Sequence, residues 1–265
     1  MSTTNYNYKV GFFTITAKSL LHVGAGGENF WIIDNLIQRD PTTQLPCIYA
    51  SSLKGALREY MKDYLTVITN PDWIKKLCDI FGNDRSDFPD LSDVQLASAL
   101  QVDPAQLKKQ NFPGEFRFLQ ADLLSIPTHK DGYVEYKITS QWLKDNFREM
   151  MDLFNSELTF PVKLDEYIGT TNIAATDEEF CEMVDDYHLP VIARNHLENG
   201  SSTNLWYEQV LPRGTKLFFA VLYENQELFE VFKTSVTSNP VQIGANASVG
   251  YGFCKIEFIE TKFKD

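Results

Sequence analysis

The sequence predicts an α+β fold in which an antiparallel, ferredoxin-like sheet is backed by helices. In the first half, a strand-like run at 8–17 precedes helical spacing that starts at Ser51 or Ser52, and a second strand-like run follows at 114–125. Residues 214–261 repeat that order of strand, helix and strand. Two such units in succession are compatible with a ferredoxin-like sheet, and a chain of 265 residues allows one or two domains.

The N-terminal elements follow from local residue chemistry. The run "YKVGFFTITA" is rich in β-branched and aromatic residues and predicts the first strand. A glycine-rich loop, "LHVGAGGEN", comes next, and residues 30–40 form an extended run that enters the turn "DPTTQLP". Serine is a favoured N-cap, so the following helix is expected to begin at the serine pair.

The middle of the chain supplies insertions to this core. Residues 91–110 predict two short helices within a helical insertion at 84–112, and 140–154 and 177–187 also have helical patterns. In "LPVIARNHLENGSSTNLWYEQV" an Asn-Gly pair separates two β-like runs, which predicts a hairpin at 190–206.

Charge is distributed unevenly along the chain. The formal net charge is −12, which for the whole molecule argues against a nucleic-acid ligand. Residues 63–210, however, hold 12 basic against 26 acidic residues, whereas 1–62 hold six against four and 211–265 hold six of each. The two ends therefore remain able to present a basic surface, while solvated acidic faces account for the middle.

Composition also limits the compartment and the class of enzyme. No stretch approaches the roughly 20 apolar residues of a membrane span, and the first ten residues lack the apolar core of a signal peptide. The four cysteines stand far apart without a CxxC pair, which is typical of reduced thiols in a cytoplasm. P-loop, serine-hydrolase and zinc-protease motifs are absent from the sequence.

The predicted helix start "SSLKGALR" is the first candidate anion site. The free amides near Ser51 and Ser52 and the helix dipole favour an anion. Lys54, Arg58 and Lys62 then recur at every fourth residue and would form one basic ridge for a phosphodiester backbone. The alternative is a capped helix with a solvated charged face.

Two glycine-rich segments are further candidates. In "VQIGANASVGYGF" the backbone is able to approach a ligand closely, its amides to form an anion-binding nest, and an aromatic ring to stack on a base. The residues concerned are Gly244, Asn246, Ser248, Gly250 and Tyr251. In "HVGAGG", His22 is a candidate phosphate or acid–base group, and a structural histidine is the alternative.

The segment "LSDVQLASALQVDPAQLKKQ" (91–110) has the residue spacing of a bacterial helix-turn-helix. Gln101 stands where that motif usually has glycine, and the only basic residues are Lys108 and Lys109. A reading helix needs more hydrogen-bonding side chains at its start. A helical insertion packed on the body is the better interpretation, and a DNA-binding regulator remains a remote alternative.

Taken together, these motifs resemble one family. The Asp34–"DPTTQLP"–"SSLKGALR" block, the segment "WYEQVLPRGT" and the C-terminal glycine loop resemble the RAMP-superfamily backbone subunits of type III CRISPR effector complexes, in particular those of type III-B (Cmr). The similarity runs from about residue 8 to 258 and covers 84–112 and 126–189 poorly. The glycine loop here has fewer glycines than is usual in the family, and Ala50 replaces the glycine that precedes its serine pair.

The resemblance implies a fold and a function. The fold would be a single domain over residues 1–265 with a modified RNA-recognition-motif core of the ferredoxin-like type. The hairpin at 190–206 would be a "thumb" that displaces a base of the guide–target duplex. Copies would stack into a helical filament on the CRISPR RNA, together with other Cmr-complex subunits and without a membrane. The subunit would cut complementary target RNA at regular intervals with a divalent metal ion, Mg²⁺ or Mn²⁺.

Residue roles are also implied. Asp34 matches the aspartate of the family's "IID" motif and would be the catalytic residue and a possible metal ligand. Ser51, Ser52, Lys54 and Arg58, with the glycine loop, would hold the guide, and His22 would contact RNA near the cut. Arg194 and His196 would line the duplex, or belong to an ordinary surface hairpin. A non-catalytic RNA-binding subunit of the same or the type III-A complex, with a structural Asp34, is the alternative.

Overall fold

The computed structural model describes residues 8–26, 33–67, 72–107, 112–134, 136–155, 158–159, 168, 172–173, 176–198 and 201–263. The strands, in chain order, are β1 (Lys9–Ala17), β2 (Cys47–Ile48), β3 (Arg117–Phe118), β4 (Ala121–Thr128), β5 (Tyr136–Thr139), β6 (Leu158–Thr159), β7 (Asn172–Ile173), β8 (Val191–Glu198), β9 (Ser201–Gln209), β10 (Lys216–Tyr223), β11 (Val241–Gln242), β12 (Phe253–Ile259) and β13 (Lys262–Phe263). The helices are α1 (Ala50–Val67), α2 (Trp73–Phe81), α3 (Asp93–Leu100), α4 (Pro104–Leu107), α5 (Gln141–Asn155), α6 (Asp177–Met183) and α7 (Gln226–Ser238), with 3₁₀ turns at Arg85–Asp87 and Ala247–Val249.

The main sheet has the predicted ferredoxin-like topology. Its strand order is β11-β12-β1-β10-β4-β5-β7, with β2 beside β4 and β3 beside β10. Within it, β12, β1, β10 and β4 are paired antiparallel. These four strands lie in the spatial order fourth, first, third and second of the two strand–helix–strand units, so the predicted α+β class is confirmed.

Both faces of the sheet are covered, which explains the apolar run in β1. Phe13 and Ile15 face the large core beneath α1, α2, α3 and α7, where the Phe13 and Phe219 rings stack 5.1 Å apart. Phe12 faces the opposite side and packs in a smaller cluster with Phe147 of α5. Because alternate residues of β1 meet different layers, nearly every residue in the strand is buried.

The insertion lies against the body as predicted. Ser92 and Gln95 form a capping box at the start of α3, and Gln101 adopts the left-handed conformation that ends it. Leu96 and Leu100 are buried in the same core as the sheet. Residues 108–111 of the predicted insertion lie outside the described residues.

Strands β8 and β9 form a separate two-stranded antiparallel sheet where the hairpin was predicted. The second strand extends to Gln209, beyond the predicted limit, and the Asn-Gly turn lies outside the described residues. None of the helices in the described ranges is long and apolar enough to span a bilayer.

Candidate RNA-binding and cleavage site

Asp34 is attached to the root of the hairpin. Its Oδ2 accepts a hydrogen bond of 2.8 Å from the Tyr207 amide, and its own amide donates to the Tyr207 carbonyl at 3.1 Å. The next residue, Asn35, also donates to that carbonyl, and its carbonyl accepts from the Gln209 amide. The loop and β9 thus hold an exposed carboxylate by backbone contacts, and these fix its position independently of side-chain rotamers elsewhere.

His22 lies behind this contact and is only 5% exposed. Its Nδ1 is 2.7 Å from the Gln209 carbonyl oxygen. A carbonyl only accepts, so Nδ1 must carry the proton and donate. The burial and this bond support the structural alternative for His22, in which it holds the hairpin root; direct contact with RNA stays a prediction.

Glu208 is the buried centre of the hairpin root. Its Oε1 accepts from Trp206 Nε1 at 2.9 Å, and its Oε2 accepts from Arg194 Nη1 at 3.1 Å and from Asn246 Nδ2 at 2.9 Å. Burial alone would raise the pKa of Glu208, but the hydrogen bonds from Trp206 and Arg194 and the Arg194 charge outweigh it, and the pKa is lowered. A single carboxylate therefore joins β8, β9 and the glycine loop.

Arg194 is engaged in this cluster. Its guanidinium carbon lies 5.5 Å from the centre of the Trp206 ring and 5.9 Å from that of Tyr251, within the range of cation–π contacts. His196, two residues further along β8, is exposed. The structure therefore assigns the two predicted hairpin residues different environments: Arg194 stiffens the root, and His196 lies towards the tip.

The glycine loop packs against His22. Gly244 has a φ of +83°, and a Cβ at this position would lie 2.2 Å from the His22 carbonyl oxygen, which accepts from the Ala245 amide. The amides of Val249, Gly250, Tyr251 and Gly252 all donate to carbonyls within the protein. Those four amides are therefore not free to form the predicted anion nest. Ser248 and Gly250 are exposed on the loop's outer side.

We expect Gly244→Ala to lower the free energy of unfolding by about 2 kcal/mol or more, because alanine is strained at this φ and its Cβ meets the His22 carbonyl. Urea denaturation measures the change. Gly55→Ala is the control: Gly55 lies inside α1 with open space around its Cβ position, and this variant should be up to about 1 kcal/mol more stable. Equal stability of Gly244→Ala and wild type would contradict the packing described.

The start of α1 differs from the prediction. The helix begins at Ala50, so the prediction that Ser51 or Ser52 is its N-cap is wrong, and both serines lie in the first turn. The Gln38 side chain takes part in the cap instead: its Oε1 accepts from the Tyr49 amide at 2.7 Å, and its Nε2 donates to Ser52 Oγ at 2.8 Å. Ser51 is exposed at the helix start.

The predicted open basic ridge is not formed. The Arg58 guanidinium pairs with Asp87 of the insertion and donates to the Gly82 carbonyl, and its side chain is only 16% exposed. Lys62 lies 3.9 Å from Glu59. Among the described residues, the ammonium group of Lys54 has neither a hydrogen bond nor an ion pair, so Lys54 is the member of the ridge that remains available for an anion.

The functional residues missed from the sequence are Tyr207, Glu208 and Gln209. They lie within "WYEQVLPRGT", a segment that we used for the resemblance without assigning any role to its residues. The available signal was a glutamate in a strand that continues directly into the apolar "VLP". A charge at such a position has to be buried and paired.

A metal ion would find limited protein ligation here. In the parts of the chain that the structure describes, no group of three or more His, Cys, Asp or Glu residues is arranged to hold a metal. Asp34 contributes one carboxylate, with Oδ2 engaged by Tyr207. One carboxylate combined with phosphate oxygens of a substrate is a common way to bind Mg²⁺. Asp34 fits a site of that kind, and it does not fit a site in which the protein supplies all the ligands.

A ferredoxin-like sheet with a hairpin rooted between a glycine loop and an exposed aspartate defines a RAMP-type RNA-binding fold. The chain belongs to the RAMP superfamily, whose family model matches residues 14–255. The CRISPR system Cmr endoribonuclease Cmr4 of Pyrococcus furiosus is 23% identical to it over 292 residues, which cover 96% of each protein.

Solved structures share this fold. A chain of the type III-B Cmr-beta complex in its apo state has a TM-score of 0.68 at 18% identity, covering 96% of this chain and 98% of that one. A chain of the type III-B Cmr-beta complex bound to cognate target RNA has a TM-score of 0.60 at 20% identity, covering 95% of this chain and 98% of that one. Oligomeric Cmr4 from Pyrococcus furiosus gives 0.60 at 18% identity, with 94% and 98% covered.

Proposed function

We propose that this chain is the backbone subunit of a type III-B CRISPR effector complex. It binds CRISPR RNA, stacks with copies of itself and with other Cmr-complex subunits, and cleaves bound target RNA. The observation that carries the cleavage role is the attachment of the exposed Asp34 carboxylate to Tyr207 at the root of the hairpin. Similarity to a Cmr endoribonuclease over nearly the whole length of both proteins supports the assignment.

The chemistry suits a site with a single carboxylate. RNA carries its own nucleophile, the 2′-hydroxyl, so a site that aligns this group with the adjacent phosphate achieves much of the catalysis by positioning. Asp34 Oδ2 is held by the Tyr207 amide, so Oδ1 would be the oxygen that accepts the proton of the 2′-hydroxyl or binds a cation on the phosphate. A divalent ion, Mg²⁺ or Mn²⁺, would neutralise charge on that phosphate.

The hairpin root supplies the rigidity that positioning requires. Glu208 fixes β9 to β8 through Arg194 and to the glycine loop through Asn246. Tyr207, the residue that holds Asp34, is therefore fixed between two anchored neighbours. A base displaced by the hairpin would leave its sugar and phosphate beside this carboxylate.

Purification of the complex from cells that express the chain with a guide RNA tests the function. We expect short RNA of defined length to accompany the protein, and complementary target RNA to be cut at regular intervals when Mg²⁺ or Mn²⁺ is supplied. A non-complementary RNA is the control and should stay intact. Absence of accompanying RNA would overturn the proposal, and RNA binding without target cleavage would favour the non-catalytic alternative.

A further inference from the structure

A cleft at the root of the insertion has the chemistry of a nucleotide site. It has a volume of about 480 Å³, within the size range of ligand clefts, and lies between the start of α1, the end of α2 and strand β3. Lys54 and Arg117 supply positive charge, and half-buried Phe112 and Phe118 supply aromatic surface. We call it the insertion-root cleft.

Positive charge in this cleft is not balanced. None of the described residues that line it is acidic, in a chain of net charge −12. Within the described ranges, Arg117 Nη1 donates only to the backbone carbonyls of Gly114 and Phe116, at 2.6 and 3.4 Å. Burial and the charges of Arg58 and Arg117 lower the pKa of Lys54. An anion bound between Lys54 and Arg117 would reduce the repulsion between these two cations. Arg58 itself is already neutralised by Asp87.

The shape of the cleft is fixed by the crossing of the two ends of the insertion. Asn83 donates to the Phe112 carbonyl at 3.1 Å, and the Asn83 side chain accepts from the Phe112 amide at 2.5 Å. Gly114 crosses so close to the end of α2 that a Cβ would lie 2.3 Å from the Ile80 carbonyl oxygen. Because these backbone contacts fix the lining of the cleft, the cleft is preorganised, and little conformational entropy would be lost when a ligand binds.

We propose that the insertion-root cleft binds one nucleotide of the single-stranded guide RNA, with the phosphate between Arg117 and Lys54 and the base against Phe112 and Phe118. The identity of the strand rests on the proposed function. Aromatic faces accept any base, and two cations accept a phosphate without reading sequence. Phe112 at the end of the insertion, with Arg117 and Phe118 of β3, would thus extend the guide contact that Lys54 makes from α1.

The phosphate contact is tested in the full chain with Arg117→Gln, and Arg148→Gln is the matched control. Arg148 is an exposed arginine of α5 that pairs with Asp145. Affinity for a fixed-length single-stranded RNA is measured by fluorescence anisotropy at several salt concentrations. Arg117→Gln should weaken binding about tenfold and reduce the slope of log affinity against log salt by about 0.7, and Arg148→Gln should change neither.

Phe112→Leu tests the base contact, since it keeps apolar volume and removes the stacking face. It should also weaken binding about tenfold, but with an unchanged salt slope. Wild-type affinity in both Arg117→Gln and Phe112→Leu would overturn the cleft while leaving the proposed function intact. Failure of the wild-type chain to bind RNA would overturn both. Thermal melting verifies that each variant is folded.

Discussion

Asp34→Asn in the assembled complex is expected to slow target RNA cleavage by at least about 100-fold. Asparagine keeps an oxygen that accepts from the Tyr207 amide, so the backbone contacts between the loop and β9 should persist. What is lost is the negative charge that would accept a proton or bind a cation. The measurement is a cleavage time course, with guide RNA content and complex size determined on the same preparation.

The control for that variant is Asp63→Asn. Asp63 is an exposed aspartate of α1, and its substitution makes the same charge change away from the hairpin root. Guide binding should be normal in both variants, and cleavage should be normal only in Asp63→Asn. Full-rate cleavage by Asp34→Asn would mean that another group performs the reaction. Loss of guide binding would make Asp34 a structural residue.

Glu208→Ala is expected to lower the free energy of unfolding by about 2–4 kcal/mol and to reduce target cleavage with it. The substitution removes the acceptor of three hydrogen bonds and leaves the Arg194 charge half-buried without its carboxylate. Because Tyr207 is the neighbour of Glu208 in the chain, a more mobile backbone at residue 208 should also weaken the hydrogen bond between Tyr207 and Asp34. Urea denaturation and the cleavage assay measure the two effects.

The matched control is Glu257→Ala, which removes an exposed glutamate of β12 paired with Lys255 on the surface. Exposed pairs contribute little, so this change should stay within about 1 kcal/mol. Similar stabilities for the two alanine variants would contradict the role of Glu208 as the centre of the hairpin root. Glu208→Gln, which keeps acceptor and donor groups, should recover part of the lost stability.

Low pH should remove the stabilisation that the Glu208 carboxylate contributes. The pKa of Glu208 is lowered in the folded protein, so its stabilisation is complete above the ordinary pKa of glutamate, about 4.3, and is lost as the pH falls through the folded value. The difference in stability between wild type and Glu208→Gln should therefore shrink as the pH is lowered below that range. A difference that stays constant in acid would contradict the lowered pKa.

Local residue patterns predicted the fold well, because the apolar residues of the core strands indicate which strands are buried. β1 has apolar residues on both faces, since Phe12 and Phe13 enter different layers. The cap of α1 was missed because the acceptor of the Tyr49 amide is the side chain of Gln38, eleven residues earlier in the chain. A side chain from outside the helix leaves no trace in the local residue pattern.

The site was predictable only in part, for the same physical reason. The resemblance gave Asp34, but its partner Tyr207 is 173 residues further along the chain, and no local spacing connects them. Arg58 was taken as an exposed cation, because its neutralising Asp87 comes from the insertion, which the resemblance did not cover. Ion pairs and contacts of this kind depend on tertiary packing.

The position of β1 in the sheet has a consequence for folding during synthesis on the ribosome. This early strand pairs with β10 and β12, so the centre of the sheet has to wait for residues up to Ile259 to be made. At about 5–20 residues per second, the aromatic face of β1 stays uncovered for some ten to fifty seconds of synthesis. Such long-range closure makes folding slow and gives chaperones a natural target in "GFFTITA".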